Sequence, residues 1–500
     1  MFACPATDDF FRARLDHMID LGQPLAVLAS HMPWQALEAR VAQTFSRRAR
    51  TGEPLPDLDL FGEQVQRRNR PSNAGRPRVP LRTMIALLYL KHAFNLSDEA
   101  VVERWSETPR WQFFSGLAYY EERLPCDATT LVKFRRLLGE EGCEELLAQT
   151  INQAVSMKLI PTAALATVVV DSTVQEKAVA HPNDARLLEV ARHKLVQTAK
   201  AAGVVLKQSF AKEGKALRFK AARYAHARQF KRLSKTVKRQ RTIVASLVRE
   251  IARKAQVAGQ VLSEHAQQVL AKAAQIVAQA GHRKNDAGVP KLYAWHAPEV
   301  VCMAKGKSRT PYEFGAKVGI AMTLQHNLIV GARAFEGNPY DGHTLREQLE
   351  QAGILMQDTG IKPTTAYVDL GYRGVDMDNP GVEIKHRGKA KSLTPDEWKW
   401  LKRRQAIEPI IGHLKEDHGM GRCHLKGAQG DRLHAVLCAA GYNIRWLLRM
   451  IAKKGVAFLR RLYLRLCEAA GLRPNWLGVL RELACGALNR PALRLALAGK

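Results

Sequence analysis

Acidic side chains are scarce in this 500-residue chain: 47 Asp and Glu face 77 Lys and Arg, for a formal net charge of +30. That imbalance argues against an ordinary small-metabolite enzyme and for a polyanionic partner, nucleic acid above all. Long apolar runs are missing too. No segment approaches the roughly 18–20 residues of a membrane helix, so no membrane partner is expected. The opening residues, MFACPATDDFFRARLD, carry acids and arginines without an apolar stretch. They oppose a secretory signal and point to the cytoplasm. The eight cysteines (Cys4, Cys126, Cys143, Cys302, Cys423, Cys438, Cys467, Cys485) form no C-x-x-C pair. This opposes both a zinc ribbon and a disulfide scaffold, and reduced, mostly buried thiols are expected. Aromatic residues are only 7% of the chain, yet hydrophobic residues reach 46%, enough for globular cores rather than disorder.

Proline is absent from 185–284, a stretch rich in Ala, Lys, Arg, Gln and Val. It reads as long helices forming a hairpin, with Gly203, Gly214 and Gly259 as candidate breaks. Much of the positive charge lies here. Residues 192–254 hold 19 Lys and Arg against two acids, Glu213 and Glu250. A merely solvated helix face mixes its signs, and this one does not. It reads as a grip on the DNA backbone, with Lys231, Arg232, Lys235, Lys238 and Arg239 as candidate contacts. A second concentration, 447–500, has 11 Lys and Arg against Glu468 and Glu482.

The front of the chain is also helical in pattern. Leu25, Leu28 and Met32, then Trp34, Leu37 and Val41, recur at helical spacing. A breaker-rich stretch follows, with Arg67, Arg68, Arg70 and PSNAGRPRVP, which reads as a linker or basic arm. Beyond it, Leu81–His92 is an apolar helix. Ser97 caps a second helix, Thr108 and Pro109 open a third, and Asp127 caps a fourth. Short helices with short turns suit a helix-turn-helix-like DNA reader. Arg110, Arg135 and Arg136 are its candidate DNA contacts.

From Ala163 the pattern changes. ALATVVVDST is a short β-branched run, read as a buried strand ending at Asp171. Strand signals return at 313–323 and 328–335, joined as a hairpin, with a helix over 341–356. TTAYVDLGYRG gives a strand ending at Asp369, and 382–386 is a further short strand. Thr394 and Pro395 open a helix running to about Asp417, which Pro409 should kink or delay. Two strand-end aspartates and Glu408 on the final helix can converge across a small sheet. Hard cations such as Mg²⁺ need only one or two carboxylates each beside a substrate phosphate. Two such ions about 3.5–4 Å apart can polarise the attacking and leaving oxygens of a phosphodiester. At about 100° per residue, Arg404, Glu408 and Lys415 share one helix face.

Three blocks of this sequence resemble the DDE transposases of bacterial insertion sequences, in particular the insertion sequence five family. The first is GRPRVPLRTMIALLYLKHAFNLSDEAVVERWSETPRWQFFSGL with CDATTLVKFRRLL. It is similar to that family's N-terminal helical domain. VVVDSTVQEKAV with TAYVDLGYRG resembles its first two acidic blocks, and RRQAIEPIIGHLKEDHGMGRCHLKG resembles its third. The third block's pattern is Tyr, two residues, Arg, three, Glu, six, Lys. Arg404, Glu408 and Lys415 fit, whereas Leu401 stands at the Tyr position, with Trp398 and Trp400 nearby.

The resemblance implies a mixed α+β and α/β fold: a ribonuclease-H-like mixed sheet with flanking helices, an N-terminal helical domain and a long helical insertion. It implies that Asp171, Asp369 and Glu408 hold two Mg²⁺ or Mn²⁺ ions, with Arg404 and Lys415 positioning phosphates. Cleavage at terminal inverted repeats would free 3′-hydroxyls that attack target DNA, with no covalent enzyme–DNA link. Tyr372 and Arg373 are further candidate DNA contacts, and Lys305–Arg309 is a basic loop near the site. The partners implied are double-stranded DNA and a second copy or more of the chain. The expected domains are 1–70 (helices and basic linker), 71–160 (DNA reader), 161–184 with 291–445 (catalytic), 185–290 (basic insertion) and 446–500 (basic tail). Two alternatives remain: a nuclease or resolvase without strand transfer, and an inactive DNA-binding regulator of transposase descent.

Overall fold

Helical spacing at the front of the chain does produce helices. The computed structural model describes residues 13–44, 79–259, 261–280, 291–304 and 311–469. The chain divides into two compact units: Met1–Phe134 with Asn152–Pro161 and Asn443–Lys500, and Arg135–Ile151 with Thr162–Tyr442. The first unit holds α1 (Leu15–Met18), α2 (Pro24–His31), α3 (Trp34–Thr44), α4 (Leu81–Ala93), α5 (Asp98–Glu107) and α6 (Pro109–Phe114). It also holds the start of α7 (Ala128–Ser156). Leu25, Leu28, Met32, Trp34, Leu37 and Val41 are all buried. Trp34 meets Phe114 edge to face at 5.1 Å between ring centroids. The Ser97 and Asp127 side chains accept from the Ala100 and Thr129 amides, capping α5 and α7. Thr108 precedes Pro109 as expected, but its hydroxyl makes no capping bond. The segment Arg67–Arg70 lies outside the described residues.

The second unit is built on one mixed sheet. Its strands are β1 (Thr167–Glu176), β2 (Val301–Ala304), β3 (Tyr312–Thr323), β4 (Ile329–Phe335), β5 (Thr365–Tyr367) and β6 (Glu383–Lys385). Their order is β2-β3-β1-β5-β6, and β4 also pairs with β3. β3 runs antiparallel to β1, β2 and β4, whereas β5 and β6 lie parallel to β1. The first strand therefore does not end at Asp171. It runs on to Glu176, because the long β3 pairs with it as far as Gly315. β2 had only a four-residue apolar signal, VVCM.

Between β1 and β2 the described residues form four helices: α8 (Asp184–Ala201), α9 (Ala211–His226), α10 (Phe230–Val257) and α11 (Glu264–Gln279). They are not the simple hairpin expected. Leu187, Leu188 and Leu195 of α8 share one core with Ile243, Val244, Leu247 and Ile251 of α10 and Val269, Ala273 and Ile276 of α11. The insertion thus buries apolar surface of its own, which a two-helix hairpin does poorly. Gly203 and Gly259 sit just past α8 and α10 at positive φ, as breaks should. Gly214 is not a break. It lies inside α9, where a Cβ would come within 2.3 Å of Glu189 Oε2 and 2.6 Å of Arg192 Nε. Its missing side chain lets α9 approach the buried Glu189–Arg192 ion pair, 2.8 Å long.

After β4, α12 (Asp341–Leu355) packs on β3 and β4, with Gln348 seated over Gly319 and Gly331. The helix expected from Thr394 to Asp417 is two helices. α13 (Pro395–Arg403) and α14 (Ile407–Asp417) are separated by a tight 3₁₀ turn, Arg404–Ala406. Pro409 is the third residue of α14, where its missing N–H costs nothing. α15 (Gly427–Ala469) follows, and the residues beyond it lie outside those described. Its Asp431 meets Lys177 at 2.8 Å, and Glu299 meets the same ammonium at 2.8 Å, in the interior of the unit. No described helix is long and apolar enough to cross a membrane.

Candidate active site

Parallel pairing of β1 with β5 brings two carboxylates together. The last registered pair is Val169 with Tyr367. Two residues further on each chain stand Asp171 and Asp369. Asp369 caps the turn after β5, its Oδ1 accepting from the Leu370 amide at 2.6 Å. The Arg404 guanidinium reaches both aspartates: Nη1 lies 3.4 Å from Asp171 Oδ2 and Nη2 3.9 Å from Asp369 Oδ1. The turn between α13 and α14 is what aims it there.

The electrostatics of the two acids differ. Burial pushes the Asp171 carboxyl up from its ordinary value, and the nearby Asp369 and Asp341 charges push the same way. The Ser172 amide, donating at 2.8 Å, and Arg404 pull it down without winning. The Asp369 side chain is 57% exposed, so solvent reaches the pair from that side. A half-buried carboxylate crowded by like charge, beside an open one, is an all-oxygen donor pair. It suits a hard divalent cation such as Mg²⁺ or Mn²⁺.

Sequence reasoning and structure part at several residues. Glu408 is exposed in the first turn of α14, a helix packed on β1 through Ile407, Ile410 and Leu414. Among the described residues the three acids do not form a cluster with all ligand oxygens within 4.8 Å of one another, so Glu408 is not brought up to the aspartates here. Lys415, two turns on, lies 3.7 Å from Glu313 Oε2 on β3. Tyr372 is 1% exposed, its hydroxyl turned to Ser172 and Thr344, so it is a packing residue and not a DNA contact. Arg373 is exposed. Leu401, where the family pattern has Tyr, is buried, while Trp398 is 37% exposed. Three residues were missed. Ser172 donates through Oγ to Asp341 Oδ1 at 2.8 Å, and Lys317 donates to the same oxygen at 2.9 Å. The only sequence signal for Asp341 was an acid in the first turn of a helix, which is common.

The candidate DNA contacts sort by exposure. Arg110 and Arg136 are exposed, and Arg110 donates to Gln23 Oε1 at 2.6 Å. Arg135 is only 3% exposed, which corrects the expectation that α7 displays it. It falls between Leu131, Phe134 and Leu138 on the buried stripe of that helix. Lys231, Arg232, Lys235, Lys238 and Arg239 are all exposed along α10. Arg239 is partly neutralised by Glu213 at 2.7 Å. The loop Lys305–Arg309 lies outside the described residues.

Comparison with known proteins adds three findings. Residues 54–137 match a family described as a transposase domain (DUF772). Residues 374–448 match a family described as a transposase DDE domain, a span that includes Arg404, Glu408 and Lys415. The chain is 40% identical over 223 residues to a Rhizobium meliloti protein described as uncharacterized protein ORF8 in the nfe locus. That alignment covers 45% of this chain and 95% of the relative. No solved structure matches.

Proposed function

The chain belongs to the DDE transposases, and on that premise we propose that it cuts DNA at the terminal inverted repeats of an element of the insertion sequence five family and joins the freed 3′-hydroxyls to target DNA. The observation that carries this reading is the meeting of Asp171, Asp369 and Arg404 just beyond the last parallel pair of β1 and β5. The order β2-β3-β1-β5-β6, with β4 also on β3 and the last two strands parallel to β1, supports a ribonuclease-H-like sheet.

Asp171 and Asp369 are the residues to hold Mg²⁺ or Mn²⁺, with Glu408 as the third carboxylate. Ions held there would supply Lewis-acid activation of the attacking oxygen and charge relief at the leaving one. The protein's own groups do the rest. The paired strands hold the two aspartates at a constant spacing. Arg404 offsets their mutual repulsion and offers a cation to the scissile phosphate. Lys415, on the next helix, offers a second. Away from the site, the exposed cations of α10 hold the DNA backbone, and Arg110 and Arg136 contact it from the N-terminal helices. Two transposon ends call for a dimer or larger assembly on the nucleoid.

The test uses labelled end DNA. Asp171→Ala, Asp369→Ala and Glu408→Ala are each expected to lose both cleavage and joining, while end binding in metal-free buffer is kept. A variant that still joins ends removes its residue from the set. Cleavage without joined product in the native protein would make it a nuclease instead.

A further inference from the structure

Asp341 stands where neither its helix nor its distance along the chain would draw notice. Alternation along β1 sends Asp171 and Ser172 to opposite faces of the sheet. Ser172 pairs with Gly319, the residue over which Gln348 of α12 is seated, so Ser172 faces α12. Asp341, the first residue of that helix, reaches back to it. Its Oδ1 accepts from Ser172 Oγ at 2.8 Å and from Lys317 Nζ at 2.9 Å. Lys317 donates also to the Pro339 carbonyl at 2.6 Å, which ties down the loop before α12. The other oxygen, Oδ2, lies against the turn that follows Asp369, 3.3 Å from where a Gly371 Cβ would stand. Tyr372 fills the space below, buried. One carboxylate thus touches the neighbour of Asp171 and the turn that carries Asp369.

We propose that Asp341 is a positioning residue for the cleavage site. By holding Ser172 from behind and bracing the 369–372 turn, it keeps Asp171 and Asp369 at the spacing a divalent cation needs. Lys317 fixes the Asp341 carboxylate in direction, so that Asp341 serves as a brace and not as a ligand. The inference rests on the reading of Asp171 and Asp369 as the cation-holding pair.

The experiment compares native protein with Asp341→Ala, Asp341→Asn and Ser172→Ala, using Mn²⁺ binding to the DNA-free protein by electron paramagnetic resonance. It is paired with single-turnover cleavage of end DNA. Asp341→Ala is expected to weaken Mn²⁺ binding about tenfold and to slow cleavage by about 10²-fold, in the range a small misplacement causes. End binding should stay unchanged. Asp341→Asn keeps an acceptor for Ser172 but loses the charge that Lys317 holds, so it should fall between. In the Ser172→Ala background the further effect of Asp341→Ala should shrink. Unchanged Mn²⁺ affinity and cleavage in a folded Asp341 variant would overturn the proposal. Asp341→Asn decides the matter if the Ala variant does not fold. If instead Asp171→Ala binds Mn²⁺ and cleaves like the native protein, the underlying reading of the pair fails, which is a separate result.

Discussion

Single residues carry meanings here that depend on burial more than on type. Cys143 and Cys423 are fully buried, and burial pushes both thiols up to about 12. Cys302, on the short edge strand β2, is only half-buried; burial raises its thiol too, so access is what sets it apart. Reactivity needs thiolate and access together. Under native conditions at mildly alkaline pH, iodoacetamide is therefore expected to label Cys302 and spare Cys143 and Cys423, as read by mass spectrometry of digested protein. Equal labelling of Cys423 and Cys302 would contradict the burial seen. Arg135 teaches the same point about cations. The pattern Leu131, Phe134, Leu138 marked its stripe as apolar, so its burial was legible in spacing though not in charge. Asp341 was not legible at all. It is 170 residues from Asp171 in sequence, and only the packing of α12 brings it near.

At the scale of elements, local signals held where they were local. Thr394, Pro395 and Glu397 form a complete capping box at the start of α13. Glu397 also pairs with Lys385 on β6, and these bonds lower its carboxyl from 4.5 to about 2. A depressed acid stabilises the fold above its unfolded value, and that contribution is lost as pH falls toward the folded one. Between pH 4.5 and about 2, the native melting temperature should fall more steeply than that of Glu397→Gln, followed by circular dichroism. Parallel slopes would show that the pair does nothing for stability. The break between α13 and α14 was half visible. Pro409 announced an interruption, but the 3₁₀ turn that aims Arg404 has no signature of its own. Likewise the proline-free insertion promised helices, whereas their number and shared core follow from how α8, α10 and α11 meet.

For the whole molecule, charge is the organising quantity. The excess of +30 is spread unevenly, and α10 presents an exposed row of cations whose opposite side, Ile243, Val244, Leu247 and Ile251, is buried in the insertion core. Replacing Lys231, Arg232, Lys235, Lys238 and Arg239 with Gln removes charge from the exposed side alone. End binding should weaken, and the slope of log K against log salt should flatten by up to about 0.9 per lost phosphate contact. Arg239 should contribute least, since Glu213 already holds it. An unchanged slope, measured by fluorescence anisotropy from low to moderate salt, would move the DNA grip elsewhere on the protein.

By itself, the sequence determined the helical and strand segments with strong periodicity, and the block around Arg404, Glu408 and Lys415 that falls in the span matching a transposase DDE domain. Those are properties of composition and of short spacing, and they survive without knowledge of contacts. The tertiary structure alone decided which groups meet. Register between β1 and β5 sets Asp171 beside Asp369, a broken helix aims Arg404 at both, and α12 brings Asp341 up behind them. Pairing between distant strands and the docking of helices depend on burial summed over the whole unit, which no local pattern encodes.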